Sequence, residues 1–229
     1  MFSRKEDKMA PKNKFTREEM IAAALKIVRR NGAGSLTAKA IADELGISTR
    51  PVFTCFGTMD TVKNEVRQAA EEIYNGYIGE GLKEKIPFFG LGMQYIRFAK
   101  EEPELYRLLF LMQTADGSSG AFQSMVHSQE TARGSLVKIY NMTEAEAGRY
   151  FRDLWLVVHS IATLIVTGCC PYSDREIGNI LTGFSISICR SIKEIKGFAS
   201  DSFDRDEIFK RLKEVDAQSA DEIHPNNVK

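Results

Sequence analysis

The chain has 229 residues, 43% of them hydrophobic, and its 31 Lys and Arg are balanced by 31 Asp and Glu. This length supports one or two packed domains, and the balanced charge excludes a grossly basic protein. No apolar run approaches the roughly 18 residues that a membrane-spanning helix needs, and the charged start lacks the apolar core of a secretory signal, so a cytoplasmic protein is expected.

Residues 1–14 are expected to form a flexible basic arm, its cations Arg4, Lys5, Lys8, Lys12 and Lys14 continuing to Arg17. Residues 1–60 hold eleven Lys and Arg against seven Asp and Glu. Such an arm can release counterions from DNA, or it is an ordinary solvated terminus. Thr16-Arg17-Glu18-Glu19 then has the spacing of a capping box, with Phe15 and Met20 as its hydrophobic staple. The helix it starts buries Ile21, Leu25 and Val28 and ends at Arg29-Arg30-Asn31-Gly32, cations on its negative end and glycine free to turn left-handed.

Residues 37–56, TAKAIADELGISTRPVFTCF, are the most informative stretch. A first helix capped by the Thr37 hydroxyl would bury Ile41 and Leu45 on one face, and Gly46 would supply a tight turn. A second helix starting at Ser48 would pack Val52 and Phe56 against the first. Pro51 is compatible with the first turn, where its missing N–H has no intrahelical partner. Two such helices are how a helix-turn-helix presents the start of its second helix to the major groove. Thr37, Lys39, Ser48, Thr49, Arg50, Phe53, Thr54 and Thr58 are the candidate DNA-binding residues. Arg50 is the expected reader, because a guanidinium can bond guanine O6 and N7 together. The hydroxyls suit phosphate oxygens or base edges. The alternative is an ordinary αα-hairpin whose hydroxyls only cap helices.

The stretch FTREEMIAAALKIVRRNGAGSLTAKAIADELGISTRPVFTCFGTMDTVKNEV, residues 15–66, resembles the N-terminal domain of the TetR family of transcriptional repressors. The resemblance implies a three-helix DNA-binding head, a connecting fourth helix, a variable helical ligand-binding body and a homodimer. Phe53 stands where that family mostly has tyrosine, Cys55 where histidine is frequent, and Met59 where a lysine often contacts the backbone. In the body, residues 103–110 (PELYRLLF) and 155–160 (WLVVHS) look like segments of a subfamily in which a tryptophan-histidine pair is followed by glycine. Ser160 departs from that glycine.

The remainder reads as helical at 59–82, 87–101, 103–113, 119–140, 144–169 and 174–196, with breaks at the prolines and glycines between them. Capping boxes recur at Thr143–Glu146 and Ser173–Glu176, the latter with Tyr172 and Ile177 as staple. The fold class is therefore all-α. An N-terminal helix-turn-helix domain (15–60) is followed by a helical effector-binding and dimerisation domain (61–199) and a partly disordered polar tail (200–229) with a short helix near 204–215.

Helix 144–169 is apolar nearly all round between Trp155 and Val166. Its residues Val158, Ile161 and Ile165, with Ile177, Leu181, Phe184 and Ile188 of the next helix, would form a four-helix dimer interface across a two-fold axis. A fully buried central helix in a monomer is the alternative. The resemblance implies a small-molecule effector between the helices of the body. Phe89, Met93, Leu109, Met112, Gln113, Phe122, Met125, Trp155 and His159 have the apolar, adaptable composition of a ligand cavity, which is also that of a plain core. Gln113, His127 and His159 are its polar groups, and the aromatic and methionine bias suggests a hydrophobic or aromatic effector.

Cysteines 55, 169, 170 and 189 lack metal-ligand spacing and read as small buried hydrophobes. No metal, cofactor or catalytic set is called for: HExxH, GxSxG and phosphate-loop patterns are missing, and the one conceivable nucleophile pair is Cys169 or Cys170 with His159. The expected partners are a double-stranded DNA operator, an effector and a second copy of the chain. A helical carrier or interaction protein that does not read DNA is the rival class.

Overall fold

The computed structural model describes residues 15–113 and 120–222, and the regular elements among them are helical. Helix α1 (Arg17–Asn31) starts at the expected box, where the Glu19 N–H donates to Thr16 Oγ1 at 3.2 Å and Glu19 Oε2 accepts from the Thr16 N–H at 2.7 Å. It buries Met20, Ala24, Ile27 and Val28, whereas Ile21 is only half-buried. Helix α2 (Ala38–Leu45) is capped by Thr37 and closes on Gly46, whose φ of 65° is the left-handed conformation that glycine adopts without steric cost. The Ile47 N–H returns to the Ala42 carbonyl at 3.0 Å, fixing the turn.

Helix α3 (Arg50–Phe56) starts two residues later than the sequence suggests. Thr49 precedes it with helical dihedrals and no side-chain cap, so neither Ser48 nor Thr49 acts as the capping hydroxyl. Pro51 lies at the second helical position, where its missing donor costs nothing. Val52 and Phe56 are buried against Ile41, and Leu45 and Ile47 are half-buried beside them.

Helix α4 (Met59–Gly81) is the spine shared by both halves: Val62 and Val66 belong to the N-terminal core, and Ala70, Tyr74 and Ile78 to the body. It packs along α5 (Pro87–Glu101), which packs on α8 (Glu144–Val166). Helix α8 also carries α7 (Gly120–Tyr140) and α9 (Asp174–Glu194). Both expected capping boxes, at Thr143 and Ser173, are formed. Tyr172 nevertheless stays 45% exposed while Ile177 is fully buried, so the expected staple there covers little of the ring.

Two elements differ from expectation. The helix expected over 103–113 is a short α6 (Pro103–Tyr106) running into a π-helical turn, Arg107–Leu111, after which Met112 is extended. Arg67 of α4 fastens this turn by donating to the Leu108 and Leu109 carbonyls at 2.7 and 2.8 Å. In the tail, α10 (Arg205–Glu222) runs well past the short helix expected there. The arm at 1–14 lies outside the described residues.

The four cysteines are free thiols and none is fully buried; Cys169 is exposed. The sequence treats them as core hydrophobes, but the turn between α8 and α9 that holds Cys169 and Cys170 sits at the surface.

Candidate nucleic-acid interface and ligand cavity

The head is built so that one side of α2 and α3 is fixed and the other is free. Ile41 and Val52 are fully buried, and Arg17 clamps the assembly from α1. Its guanidinium pairs with Glu65, donates to the Cys55 carbonyl at 2.7 Å and lies 4.5 Å over the Phe56 ring. On the opposite side Lys39, Ser48, Thr49, Arg50, Phe53, Thr54 and Thr58 are all exposed, as is Thr37. The structure therefore gathers the eight residues expected from sequence onto the outer side of the hairpin and the ends of its helices.

Three of the hydroxyls have structural duties. Thr37 and Thr58 accept from the N–H groups of Ala40 and Thr61, at 3.1 Å each, and Thr54 donates to the Arg50 carbonyl at 3.0 Å. Each keeps hydrogen-bonding capacity toward solvent. Arg50 at the start of α3 and Lys39 in the first turn of α2 are exposed cations with no ion-pair partner among the described residues. By contrast, the neighbouring cations Lys26 and Arg30 are both engaged by Glu44, at 2.6 and 2.9 Å.

Head and body meet at a second clamp. Arg29 donates to Glu102 through two parallel bonds of 2.8 and 2.6 Å, joining the end of α1 to the junction of α5 and α6. The carboxylate holds the Arg29 guanidinium above its ordinary pKa. Such a fork-to-fork pair fixes orientation as well as distance.

The body core is aromatic and partly polar. Tyr95 and Tyr106 place their hydroxyls 2.9 and 3.0 Å from His159 Nδ1, and the Tyr106 hydroxyl also lies 3.1 Å from Thr163 Oγ1. Burial pushes both phenols up and the imidazole down, so all three are neutral near pH 7, and the one lone pair of Nδ1 can accept from either phenol while Tyr106 also has Thr163 Oγ1 and the His159 carbonyl within reach. The Trp155 ring stacks on His159 with centroids 4.7 Å apart and planes 7° from parallel. His159 is thus a hydrogen-bonded histidine of the core, and its Nδ1 is engaged by phenols rather than by a thiol. Trp155 Nε1 and Gln94 Oε1 are buried polar atoms with no partner among the described residues. Beside Trp155, among α4, α5, α7 and α8, lies a cavity of about 30 Å³, large enough to admit water.

A larger cavity of about 450 Å³ opens between α5, α8 and α9, against Phe88, Phe89, Leu154, Val158 and Leu181. The nine residues expected to bind ligand do not converge on it. Phe89 lines this cavity and Trp155 the small one, while Met112 and Gln113, both exposed, line a third of about 570 Å³ between the head, α4 and the π-helical turn; Leu109 and Met125 are buried, Met93 and His159 half-buried, and Phe122 exposed. The His127 side chain lies outside the described ones. Ser185, Arg190 and Lys193, none of them expected from the sequence, line the cavity between α5, α8 and α9. Only their spacing on one flank of α9 could have pointed to them.

The expected dimer residues also divide. Val158, Ile161, Ile177 and Leu181 are buried within their own chain, Ile165 and Ile188 are half-buried, and Phe184 is 48% exposed. Sequence periodicity locates the apolar seam, and the chain itself covers most of it. The apolar surface left outward on these helices includes Leu156, Leu164 and Phe184, exposed by 51, 39 and 48%.

Among the described residues, no group of His, Cys, Asp and Glu is placed to hold a metal ion, and no helix is long and apolar enough to cross a membrane.

No protein-family profile and no curated protein matches the chain. Solved structures do. A Rhodococcus sp. RHA1 protein of unknown function superposes with a TM-score of 0.61 at 16% identity, covering 82% of this chain and 98% of that one. A TetR-family member from Streptomyces coelicolor A3 gives 0.54 at 18% identity, covering 73% and 96%. A TetR variant from Acinetobacter baumannii AYE, solved in complex with minocycline, gives 0.52 at 14% identity, covering 79% and 97%. The chain has the fold of the TetR regulators. At these identities the likeness is one of architecture: a helix-turn-helix head on an all-α body.

Proposed function

We propose that the chain is a DNA-binding transcriptional regulator, a cytoplasmic homodimer that represses until a small hydrophobic or aromatic effector enters its helical body. The observation that carries this reading is the head, where a buried inner face holds α3 while Arg50 at the start of α3 and Lys39 at the start of α2 are exposed and without ion-pair partners among the described residues. Arg50 would read a base edge, and the exposed hydroxyls with the amides at the start of α2 and α4 would bond phosphates. Phe53 and Met59 provide no hydroxyl or cation at their positions, so backbone contacts fall more heavily on those amides and on the basic arm. The likeness to TetR-type structures, one of them holding minocycline, supports both halves of the reading.

Dimerisation would use Leu156, Leu164 and Phe184, with Ile165 and Ile188 completing the seam. Two heads so linked would address half-sites about 34 to 36 Å apart, one helical turn of DNA. Helix α4 is the transmitting element because it is continuous from the head core to the body core and is tied by Arg67 to the π-helical turn. A ligand that favours a body with α4 at another angle would change the separation of the two α3 helices and weaken simultaneous engagement. The reading needs no catalytic residue, metal or cofactor.

Selection of genomic fragments by the purified chain at modest salt tests this. Enrichment of a sequence with two-fold symmetry is expected; failure to select any fragment would overturn the proposal.

A further inference from the structure

The cavity of about 450 Å³ has a chemical polarity that narrows what it can hold. Its interior is formed by Phe88, Leu154, Val158 and Leu181. Two of the three hydroxyl residues that line it are engaged within the chain: Ser185 lies 2.6 Å from the Tyr150 hydroxyl and Thr182 donates to the Gly178 carbonyl at 2.8 Å, while Tyr140 is the third. A sugar or a polar amide placed against the apolar interior would leave most of its own polar groups unpartnered, which disfavours its binding. Polarity is concentrated at the mouth, where Arg190 and Lys193 sit one helical turn apart. The lining contains these two cations and no carboxylate. Both retain free donors. Lys193 donates to the Tyr140 carbonyl at 3.0 Å, and Arg190 uses its Nε on Glu194 at 3.2 Å.

We propose that this cavity binds an amphipathic monocarboxylate, its apolar chain or ring system between α5, α8 and α9 and its acid group at Arg190 and Lys193. The inference rests on the reading of the body as an effector domain and gives that effector a chemical class. The volume is within the range of small-molecule sites. Helical phase keeps the mouth accessible in a dimer. Thr182, Ile186, Cys189 and Lys193 recur on one flank of α9, whereas Ile180, Phe184, Ser187 and Ser191 form the other flank, which carries part of the proposed seam. Ile186, 55% exposed at the mouth, is an apolar side chain that such a ligand would cover.

Calorimetric titration of the full chain without DNA, using dodecanoate below its micelle concentration, dodecan-1-ol and dodecyltrimethylammonium, tests the proposal. Dodecanoate is expected to bind one per chain, on the order of tenfold tighter than the alcohol, with the cation weakest. Replacing both Arg190→Gln and Lys193→Gln should bring dodecanoate down to the alcohol's affinity without changing the latter. The exchange Arg190→Lys with Lys193→Arg keeps both charges and should retain most of the binding. Thr182→Trp, at the mouth, should reduce binding of acid and alcohol alike, with unchanged helical circular dichroism showing that each variant is folded. Equal affinity for acid, alcohol and cation, full dodecanoate binding by the doubly neutralised variant, or no binding by the parent chain would overturn the assignment. None of these results touches DNA selection, which is measured separately on the same preparations.

Discussion

The head and the body share α4 but are stabilised by different chemistry. In the head, the core is aliphatic apart from Phe56, and the ionic contacts lie at its surface. In the body, the rings of Tyr74, Tyr95, Phe98, Tyr106 and Phe110 meet largely edge-on, and phenol, imidazole and hydroxyl groups hydrogen-bond among them. A small aliphatic core holds one helix face in place with little freedom to rearrange. A core with polar groups and a cavity has alternative partners available to it, which suits a domain that must respond to a ligand.

Truncation on each side tests that difference. Phe98 is fully buried, with Tyr74, Tyr77 and Phe110 around its ring, so Phe98→Ala should cost about 3 to 5 kcal/mol of stability, measured by urea unfolding. Ile41→Ala in the head should cost about 2 to 5 kcal/mol and abolish sequence-selective DNA binding even where the body remains helical. If Phe98→Ala left the body as stable as before, the aromatic cluster would not be its main support.

A second contrast lies within the head, between its buried and outer faces. Arg50→Ala should leave stability unchanged while removing about 1 to 3 kcal/mol of discrimination between the selected site and an unrelated fragment, with non-specific binding largely kept. Competition binding with both fragments at one salt concentration measures this. Undiminished discrimination would assign base reading to another side chain. Smaller still is the effect of Gly46→Ala. An added Cβ would meet nothing within 4 Å, so its cost is conformational alone, about 1 kcal/mol. A loss several times larger would show that the turn does more than reverse the chain.

Local signals in the sequence located the head accurately and the body only in outline. Thr16, Thr143 and Ser173 announce their helices because a capping box is complete within four residues. The Gly46 turn is legible for the same reason. The start of α3 is misplaced because Ser48 has the chemistry of a cap, and nothing local shows that the chain enters helical dihedrals only at Thr49. The π-helical turn at Arg107–Leu111 is fastened by Arg67, which donates to carbonyls 41 and 42 residues away in sequence, a pairing that its local i,i+4 contact with Glu71 does not announce. Periodicity marks Val158, Ile161, Ile177 and Leu181 as apolar without saying whether their own chain or a second one covers them. The candidate ligand set scatters because composition selects aromatic residues everywhere in the body, whereas lining a cavity depends on how the helices around it pack.

The last test distinguishes the two cores by pH. His159 loses hydration on folding, and this desolvation lowers its pKa from 6.5. At about pH 7.5 the ring is neutral in both folded and unfolded chains, and the hydrogen bonds to Tyr95 and Tyr106 contribute fully. As the pH falls through 6.5 the unfolded chain takes up a proton that the folded chain does not, so stability must decline until the lowered folded value is reached. Urea midpoints for the parent chain should therefore fall between about pH 7.5 and 5.5. In His159→Gln, whose amide can still bond the phenols, the fall should be smaller. Identical pH dependence in the two proteins would mean that the imidazole is better hydrated than its setting between Trp155 and the two tyrosines implies, and the body core would then be as insensitive to protons as the aliphatic core of the head.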